Sequence, residues 1–250
     1  MTSRYQQIAG DLREAIERGD YAPGGTIPTE MDLCERYGVS RWTISQAIAV
    51  LAREGLVTRV RRRGTVVRDR RLVRVPLTRY GQVLAPGGAR GPWESACHSQ
   101  GIDGVTEVVG VGRQNAPDDV AAALEIPPGT PVVYRRRHMW ARDQVAQVQE
   151  AWMPLALVAG SPLAGDGKIV GGVYGALAEI GHPPAAVTET VTARLPTSDE
   201  TSVLGLGAST PALALERVTL DADGQPLEFL RAASDADRVE VVYDALPLTR

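Results

Sequence analysis

The sequence predicts a chain in two parts: a small, mainly α-helical N-terminal unit closed by a β-ribbon, and a larger α+β unit built on an antiparallel sheet. Three observations predict this. Between Tyr5 and Leu51, apolar residues recur at spacings of three and four, the period of a helix with one buried face. Two short β-rich runs follow around a basic tip at 56–67. Beyond residue 93, a unit of short helix, turn and β-rich run occurs twice at an offset of 80 residues.

The elements of the first part follow in order. Tyr5, Ile8, Ala9, Leu12 and Ile16 face one way and Asp11, Arg13, Glu14 and Glu17 the other, giving a first helix that Gly19 ends. Tyr21–Gly25 is a turn. Pro28-Thr29-Glu30 opens a second helix that runs to about Tyr37, with Thr29 as cap and the acids Glu30 and Asp32 at its positive end. Met31 and Cys34 read as packing residues. Gly38 stops this helix, and a tight turn sets the next, capped by Ser40. In that third helix Ile44, Ala47, Ile48 and Leu51 form the buried stripe, while Ser40, Arg41, Thr43 and Gln46 gather at its start and on the outer side. An arginine, hydroxyls and an amide on an opening turn are groups that reach phosphates and base edges when a helix enters the major groove by its N-terminus. Gly55 ends the helix. Leu56–Val60 and Thr65–Val67 are strands around Arg61-Arg62-Arg63-Gly64, a wing with a basic tip.

Charge supports this division. Residues 1–70 carry 12 arginines against nine acids, whereas residues 71–250 carry 15 bases against 21 acids. Arg59, Arg61, Arg62, Arg63, Arg68, Arg70, Arg71 and Arg74 face only Asp69 as an acid, a run suited to a polyanion. At 44% hydrophobic and 23% charged, the composition is that of a globular protein. No apolar run approaches ~18 residues, so no membrane span is expected. Met1–Tyr5 does not read as a signal peptide. Cys34 and Cys97 are isolated and give no disulfide framework, which fits a cytoplasmic location.

Residues 5–67 resemble the winged helix–turn–helix of the GntR family of bacterial transcription regulators. The matching pieces are Tyr5-Gln6-Gln7-Ile8, Pro23-Gly24, Ile27-Pro28-Thr29-Glu30, Val39-Ser40-Arg41, Thr43-Ile44, Ala47, Leu51, Glu54-Gly55-Leu56-Val57 and Arg63-Gly64-Thr65. The resemblance implies binding to a double-stranded DNA operator through Thr29, Ser40, Arg41, Thr43, Ser45, Gln46, Arg62, Arg63 and Gly64. In it Ser40 and Thr43 meet phosphates, Arg41 meets phosphate or guanine, and Gly64 is the wing tip that enters the minor groove. Glu30 is read as structural. Two positions depart from the family: Met31 stands where many members carry a base, and Ser45 where many carry arginine, so base readout is expected to lean on Arg41 and Gln46.

Residues 71–92 read as a linker, rich in Gly and Pro, with a strand start at Val73 and Val75. In the second part, Leu124, Ile126, Thr130, Pro131, Arg137 and Asp143 recur as Leu204, Leu206, Thr210, Pro211, Arg217 and Asp223. Acid-rich helices at 118–122 and 198–201 each lead to a strand, 132–140 and 212–220, and then to a partner strand, 145–152 and 226–230. Asp223-Gly224 marks a hairpin turn. A helix at 173–179 connects the copies, and 187–193 and 239–242 are further strands. Gly110-Val111-Gly112 reads as loop punctuation.

This pattern resembles the UTRA effector domain, similar in fold to chorismate lyase, which marks the HutC subfamily; the match spans 93–244 within a domain set at 93–250. The resemblance implies a homodimer and a small-molecule effector bound between sheet and loops. Arg135 and Arg137 share one strand face by their period of two and can grip an anion, so the effector is expected to be an anionic or sugar-derived metabolite. Glu150 and Glu228 sit on partner strands where the family places carboxylates, Tyr174 near the start of the connecting helix, and Trp93-Glu94-Ser95 at a loop entrance. Arg136 reads as solvated, Trp140 and Trp152 as core, Arg217 as paired with an acid, and Arg137 as either paired or ligand-binding. His98, His138 and His182 are scattered without metal spacing, so neither a metal nor a cofactor is expected. No nucleophile elbow or P-loop is present. The alternative reading is an enzyme of chorismate-lyase-like fold acting on a small anionic substrate.

Overall fold

The computed structural model describes residues 3–60, 62–68, 73–76, 90–206 and 210–243. Arg61, Asp69, Arg70 and Arg71 of the basic run lie outside the described residues, as do 77–89 of the expected linker. The chain divides into two compact units, Met1–Arg71 and Leu72–Arg250.

In the first unit, α1 (Arg4–Glu17), α2 (Glu30–Tyr37) and α3 (Arg41–Arg53) pack on one core. The Ser3 amide donates to Gln6 Oε1 at 2.9 Å at the start of α1. Thr29 caps α2: its hydroxyl accepts from the Asp32 amide at 3.3 Å, and its own amide donates to Asp32 Oδ2 at 3.0 Å. Gly38 ends α2 at φ 65°, the left-handed conformation that glycine reaches without a Cβ penalty. Ser40 Oγ accepts from the Thr43 amide at 3.3 Å, which starts α3. The stripe expected on α3 is buried: Ile44, Ala47, Ile48 and Leu51 meet Ile8, Leu12, Leu33, Val57 and Val67. Each Ile, Leu or Val among them contributes roughly 1.5–3 kcal/mol. Strands β1 (Val57–Val60) and β2 (Gly64–Val67) pair antiparallel, Val60 opposite Gly64, and form the wing.

In the second unit, α4 (Pro92–Ser99) leads to β4 (Gly104–Asn115), and α5 (Asp118–Ala123) to β5 (Pro131–Ala141) and β6 (Gln144–Pro154). Helix α6 (Leu155–Val158) and a 3₁₀ turn (Pro162–Ala164) precede α7 (Gly172–Glu179) and β7 (Ala186–Arg194). Helix α8 (Ser198–Leu204) leads to β8 (Ala212–Leu220), β9 (Pro226–Asp235) and β10 (Val239–Val242). The sheet order is β4-β5-β6-β9-β8-β7, antiparallel throughout. The two copies of the repeat thus lie back to back, joined where Glu150 pairs with Arg231. The strand start expected at Val73 is β3 (Val73–Pro76), which pairs parallel with β10.

Strand alternation assigns side chains to two layers. Val133 and Met153 pack under α6 and α7 with Leu163, Tyr174 and Leu177. Val132, Trp152 and Phe229 face the other way and pack with Val120 and Leu124. Trp152 is core, as expected. Gly110 and Gly112 prove to lie inside β4 rather than in a loop, next to a register shift between Val108 and Gly110. The strand is an edge strand with much of its surface exposed, so it lacks the apolar alternation that marks a half-buried strand.

Candidate functional site

The face expected to meet DNA is assembled from α2, α3 and the wing. Arg41, the first residue of α3, is 83% exposed and donates through Nε to Glu30 Oε2 at 2.8 Å. Arg59 on β1 donates to Glu30 Oε1 at 2.8 Å and to Ser45 Oγ at 3.1 Å. Glu30, the opening residue of α2, therefore orients one arginine from the helix and one from the wing. Ser40 Oγ and Thr43 Oγ1 lie 3.0 Å apart. Gln46 is partly exposed one turn further on, and Thr29 is exposed with its hydroxyl donating to Asp32 at 2.7 Å. At the wing tip, Gly64 holds φ 91° and Arg62 φ 68°, and exposed Arg63 donates to the Gly24 carbonyl at 3.0 Å.

Met31 is not a packing residue: 71% of it is exposed. The inward direction of α2 is taken by Leu33, and a residue two positions away points to the opposite side of a helix. Cys34 does pack against the core. Two neighbours were not singled out as site residues: Arg59, whose membership of the basic run was its only signal, and Trp42, which is 67% exposed on the first turn of α3.

A second site is a cavity on the sheet face beneath α4 and α7, closed on other sides by β3, β10 and the segment 167–172. Its lining includes Trp93, Glu94, Arg135, Arg137, Tyr174 and Glu228, six of the eight residues expected for the effector. Val108, Met139, Val173, Leu215 and Leu230 supply apolar walls. Arg137 projects into this space, and its Nε and Nη2 have no hydrogen-bond partner. Burial pushes its guanidinium below the ordinary value, and Glu228 offsets this only in part. Glu228 is fully buried, with Oε1 unpartnered and Oε2 3.5 Å from Arg217 Nη2. Arg217 also pairs with Glu189 at 3.7 Å and lies over the Tyr174 ring at 5.6 Å, as its reading as a paired arginine required. The Tyr174 hydroxyl bonds Thr219 Oγ1 at 3.0 Å, and burial raises its pKa.

Arg135 shares the cavity face but is turned to a different use. Its Nη1 donates to the carbonyls of Leu163 at 3.1 Å and Gly165, and its Nη2 to that of Gly167 at 2.6 Å. It clamps the loop that ends at Lys168. Lys168 in turn donates to Glu94 Oε1 at 2.6 Å.

Three expectations are corrected. Glu150 does not line the cavity: it is paired with Arg136, on the opposite face from Arg135 and Arg137, and accepts the Tyr134 hydroxyl at 2.6 Å. The residue that the register sets beside Arg137 is Gln149, which lines the cavity together with Gln147. Trp93-Glu94-Ser95 is the first turn of α4, with Pro92 preorganising its start, not a loop; Ser95 does not reach the cavity. Arg136 is not solvated but half-buried and paired with Asp199. Also unanticipated in the lining are Thr106, Lys168 and Ile169, which lie in segments without a periodic signal. The Cys97 thiol, pushed up to about 12 by burial, is a packing group.

Among the described residues no group of three or more His, Cys, Asp or Glu could hold a metal ion, and no helix is long and apolar enough to cross a membrane.

Comparison with known proteins places both units. The UTRA domain matches residues 99–240, and the bacterial regulatory proteins of the gntR family match residues 4–67. An uncharacterized HTH-type transcriptional regulator of Rhizobium meliloti is 30% identical over 238 residues, covering 95% of this chain and 93% of its own. The mannosyl-D-glycerate transport/metabolism system repressor MngR of Escherichia coli is 30% identical over 155 residues, 61% of this chain and 59% of its own. A crystal structure of a GntR-family transcriptional regulator matches with a TM-score of 0.63 at 30% identity, covering 99% of both chains. This chain accordingly belongs to the GntR family of bacterial regulatory proteins, in the branch that carries a UTRA domain, and is a DNA-binding transcription regulator rather than an enzyme.

Proposed function

We propose that this regulator is a cytoplasmic repressor that binds a palindromic operator as a homodimer and is released when a small anionic or sugar-derived metabolite fills the sheet cavity. In this reading residues 1–70 bind DNA and 93–250 bind effector and partner, while the span 71–92 expected as a linker also gives the effector unit its strand β3. The observation that carries it is Arg137. A guanidinium held among apolar walls with two nitrogens unpartnered is costly unless a ligand completes it. Glu228 beside it offers a free acceptor oxygen, suited to a hydroxyl on the same molecule. The repressor reading draws on MngR, which is named as the repressor of a mannosyl-D-glycerate transport/metabolism system.

On the DNA side, Arg41, Gln46 and the hydroxyls of Thr29, Ser40, Thr43 and Ser45 meet one major groove, and Arg62, Arg63 and Gly64 the adjoining minor groove. A dimer sets two such readers on half-sites ~10 bp apart. The effector shifts the dimer only by binding one arrangement more tightly than the other. The test is a thermal-shift screen of sugar phosphates and sugar acids, followed by operator release in a fluorescence-anisotropy titration. A compound that stabilises the wild type, fails to stabilise Arg137→Met and releases operator supports the reading. A releasing compound that stabilises both proteins equally places the effector elsewhere, and binding of operator only with compound present reverses the sign of the switch.

A further inference from the structure

Among the described residues of the first unit, the large apolar side chains most open to solvent are Met31, at 71%, and Trp42, at 67%. Each stands next in sequence to one member of an ion pair. Met31 follows Glu30, Trp42 follows Arg41, and the Glu30–Arg41 pair at 2.8 Å brings the opening turns of α2 and α3 side by side. Helical geometry fixes the direction of Trp42. Ile44 and Ala47 point into the core, so a residue two positions before Ile44 points out, on the same arc as Ser45 and Gln46. A tryptophan is among the costliest side chains to leave in water, since it offers 150–250 Å² of mostly apolar surface. Among the described residues, the core of this unit includes neither Trp42 nor Met31.

The surroundings say what kind of partner covers them. Arg41, Arg59, Arg62 and Arg63 are all exposed on the same unit, so the partner is a polyanion. The apolar group that duplex DNA presents on its major-groove base edges is the C5-methyl of thymine. We propose that Trp42, with Met31 on the opening turn of α2 as a second apolar group, reads thymine methyl groups in the operator half-site and so sets specificity at positions that Arg41 does not reach. This rests on the opening turn of α3 being the reading surface, as proposed above. It also accounts for the departure at Met31: an apolar reader stands where a basic side chain is common, and thymine contact replaces charge.

The experiment begins with the full-length protein and selection of bound sequences from a random duplex library. Each thymine of the selected half-site is then replaced by deoxyuridine, which removes the methyl and nothing else. Wild-type protein loses about fourfold in affinity at one or two of these positions, the worth of one buried methyl-sized group. Trp42→Ala loses at least as much on the unmodified operator and becomes insensitive to the same replacements, while Trp42→Phe retains part of the sensitivity. The exposed position leaves the thermal midpoint unchanged. Deoxyuridine without effect on wild type, or Trp42→Ala binding as wild type, overturns the inference and leaves the exposed pair to a protein partner. If Arg41→Ala also binds operator unchanged, the reading surface itself is misplaced, a different failure from the first.

Discussion

Arg41 donates through Nε to Glu30 Oε2 at 2.8 Å, and the same carboxylate holds Arg59 from the wing. An acid between two arginines on a DNA-facing surface repels phosphate, so its presence implies a gain elsewhere. The gain is orientation: both guanidiniums are held on one carboxylate before DNA arrives, so less side-chain freedom is lost on binding. Both cations are largely exposed, and such pairs contribute little to stability. Glu30→Gln is therefore expected to keep its thermal midpoint within about 2 °C of wild type. It gains affinity for random duplex and loses discrimination between operator and random duplex. Arg41→Ala loses operator affinity by roughly five- to hundredfold, the range for one bidentate base contact. Anisotropy titrations on both duplexes at several salt concentrations measure these changes, and an unaltered ratio in Glu30→Gln would show that the acid has no orienting role.

The wing tip gives a second prediction. Gly64 holds φ 91° with open space where a Cβ would be, so Gly64→Ala suffers backbone strain and no collision. It is expected to destabilise the first unit by about 1–2 kcal/mol. Arg63→Ala leaves stability nearly unchanged and flattens the dependence of log affinity on log salt by about one. Denaturant titration and the salt series separate the two effects. A Gly64→Ala variant as stable as wild type would show that the tip relaxes to another conformation.

How much of this was legible beforehand depended on where residues carry their own signal. The caps Thr29 and Ser40, the left-handed Gly38 and the four-residue stripe of α3 each specify local geometry, and all were read correctly. The repeat was also readable, because Leu124 and Leu204 fill equivalent buried positions behind their helices. β4 was missed because this edge strand carries Val105 and Val109 on its exposed face as well as Val108 on its partly buried one, so its sequence lacks the apolar alternation of a half-buried strand. Glu150 was misplaced by family analogy, although counting by twos from its pairing with Arg136 would have put it on the outer face. The contrast between Arg135 and Arg137 could not be read at all. Both point the same way, and only the return of 163–167 across the sheet, a long-range event, decides which one is consumed by carbonyls.

That contrast yields a third prediction. Arg135 satisfies three carbonyls of the loop before α7, so Arg135→Met strands buried acceptors and is expected to cost about 2–4 kcal/mol. Arg137 has buried nitrogens without hydrogen-bond partners, and Glu228 offsets its charge only in part, so Arg137→Met removes a poorly compensated charge and is expected to be neutral or stabilising within about 1 kcal/mol. The effector response reverses the order: Arg137→Met loses it, while Arg135→Met retains a weakened form. Chemical denaturation paired with operator release measures both. Strong destabilisation of Arg137→Met would reveal a structural partner and remove the argument that the cavity awaits a ligand.

Glu94 sets a fourth prediction, in its dependence on pH. Burial alone would raise its pKa. The hydrogen bond from Lys168, then those from the Gly91 and Thr106 amides, outweigh burial and bring it below the ordinary glutamate value. A carboxylate whose pKa is lower folded than unfolded contributes stability that is fully present above the unfolded value, about 4.3, and is lost as pH falls through the folded one. Wild-type stability should therefore decline as pH is lowered from about 5, where the carboxylates begin to take up protons. Glu94→Gln should be less stable than wild type at neutral pH, and the difference should shrink over the same acid range. Lys168→Met breaks the strongest of these hydrogen bonds but leaves the two backbone amides, so it should remove only part of the pH dependence. Because Lys168 and Glu94 bridge the 163–168 loop and α4 at the cavity, both variants should also release effector faster. Equal pH profiles for wild type and Glu94→Gln would mean that the bridge is absent in solution and the loop is held by Arg135 alone.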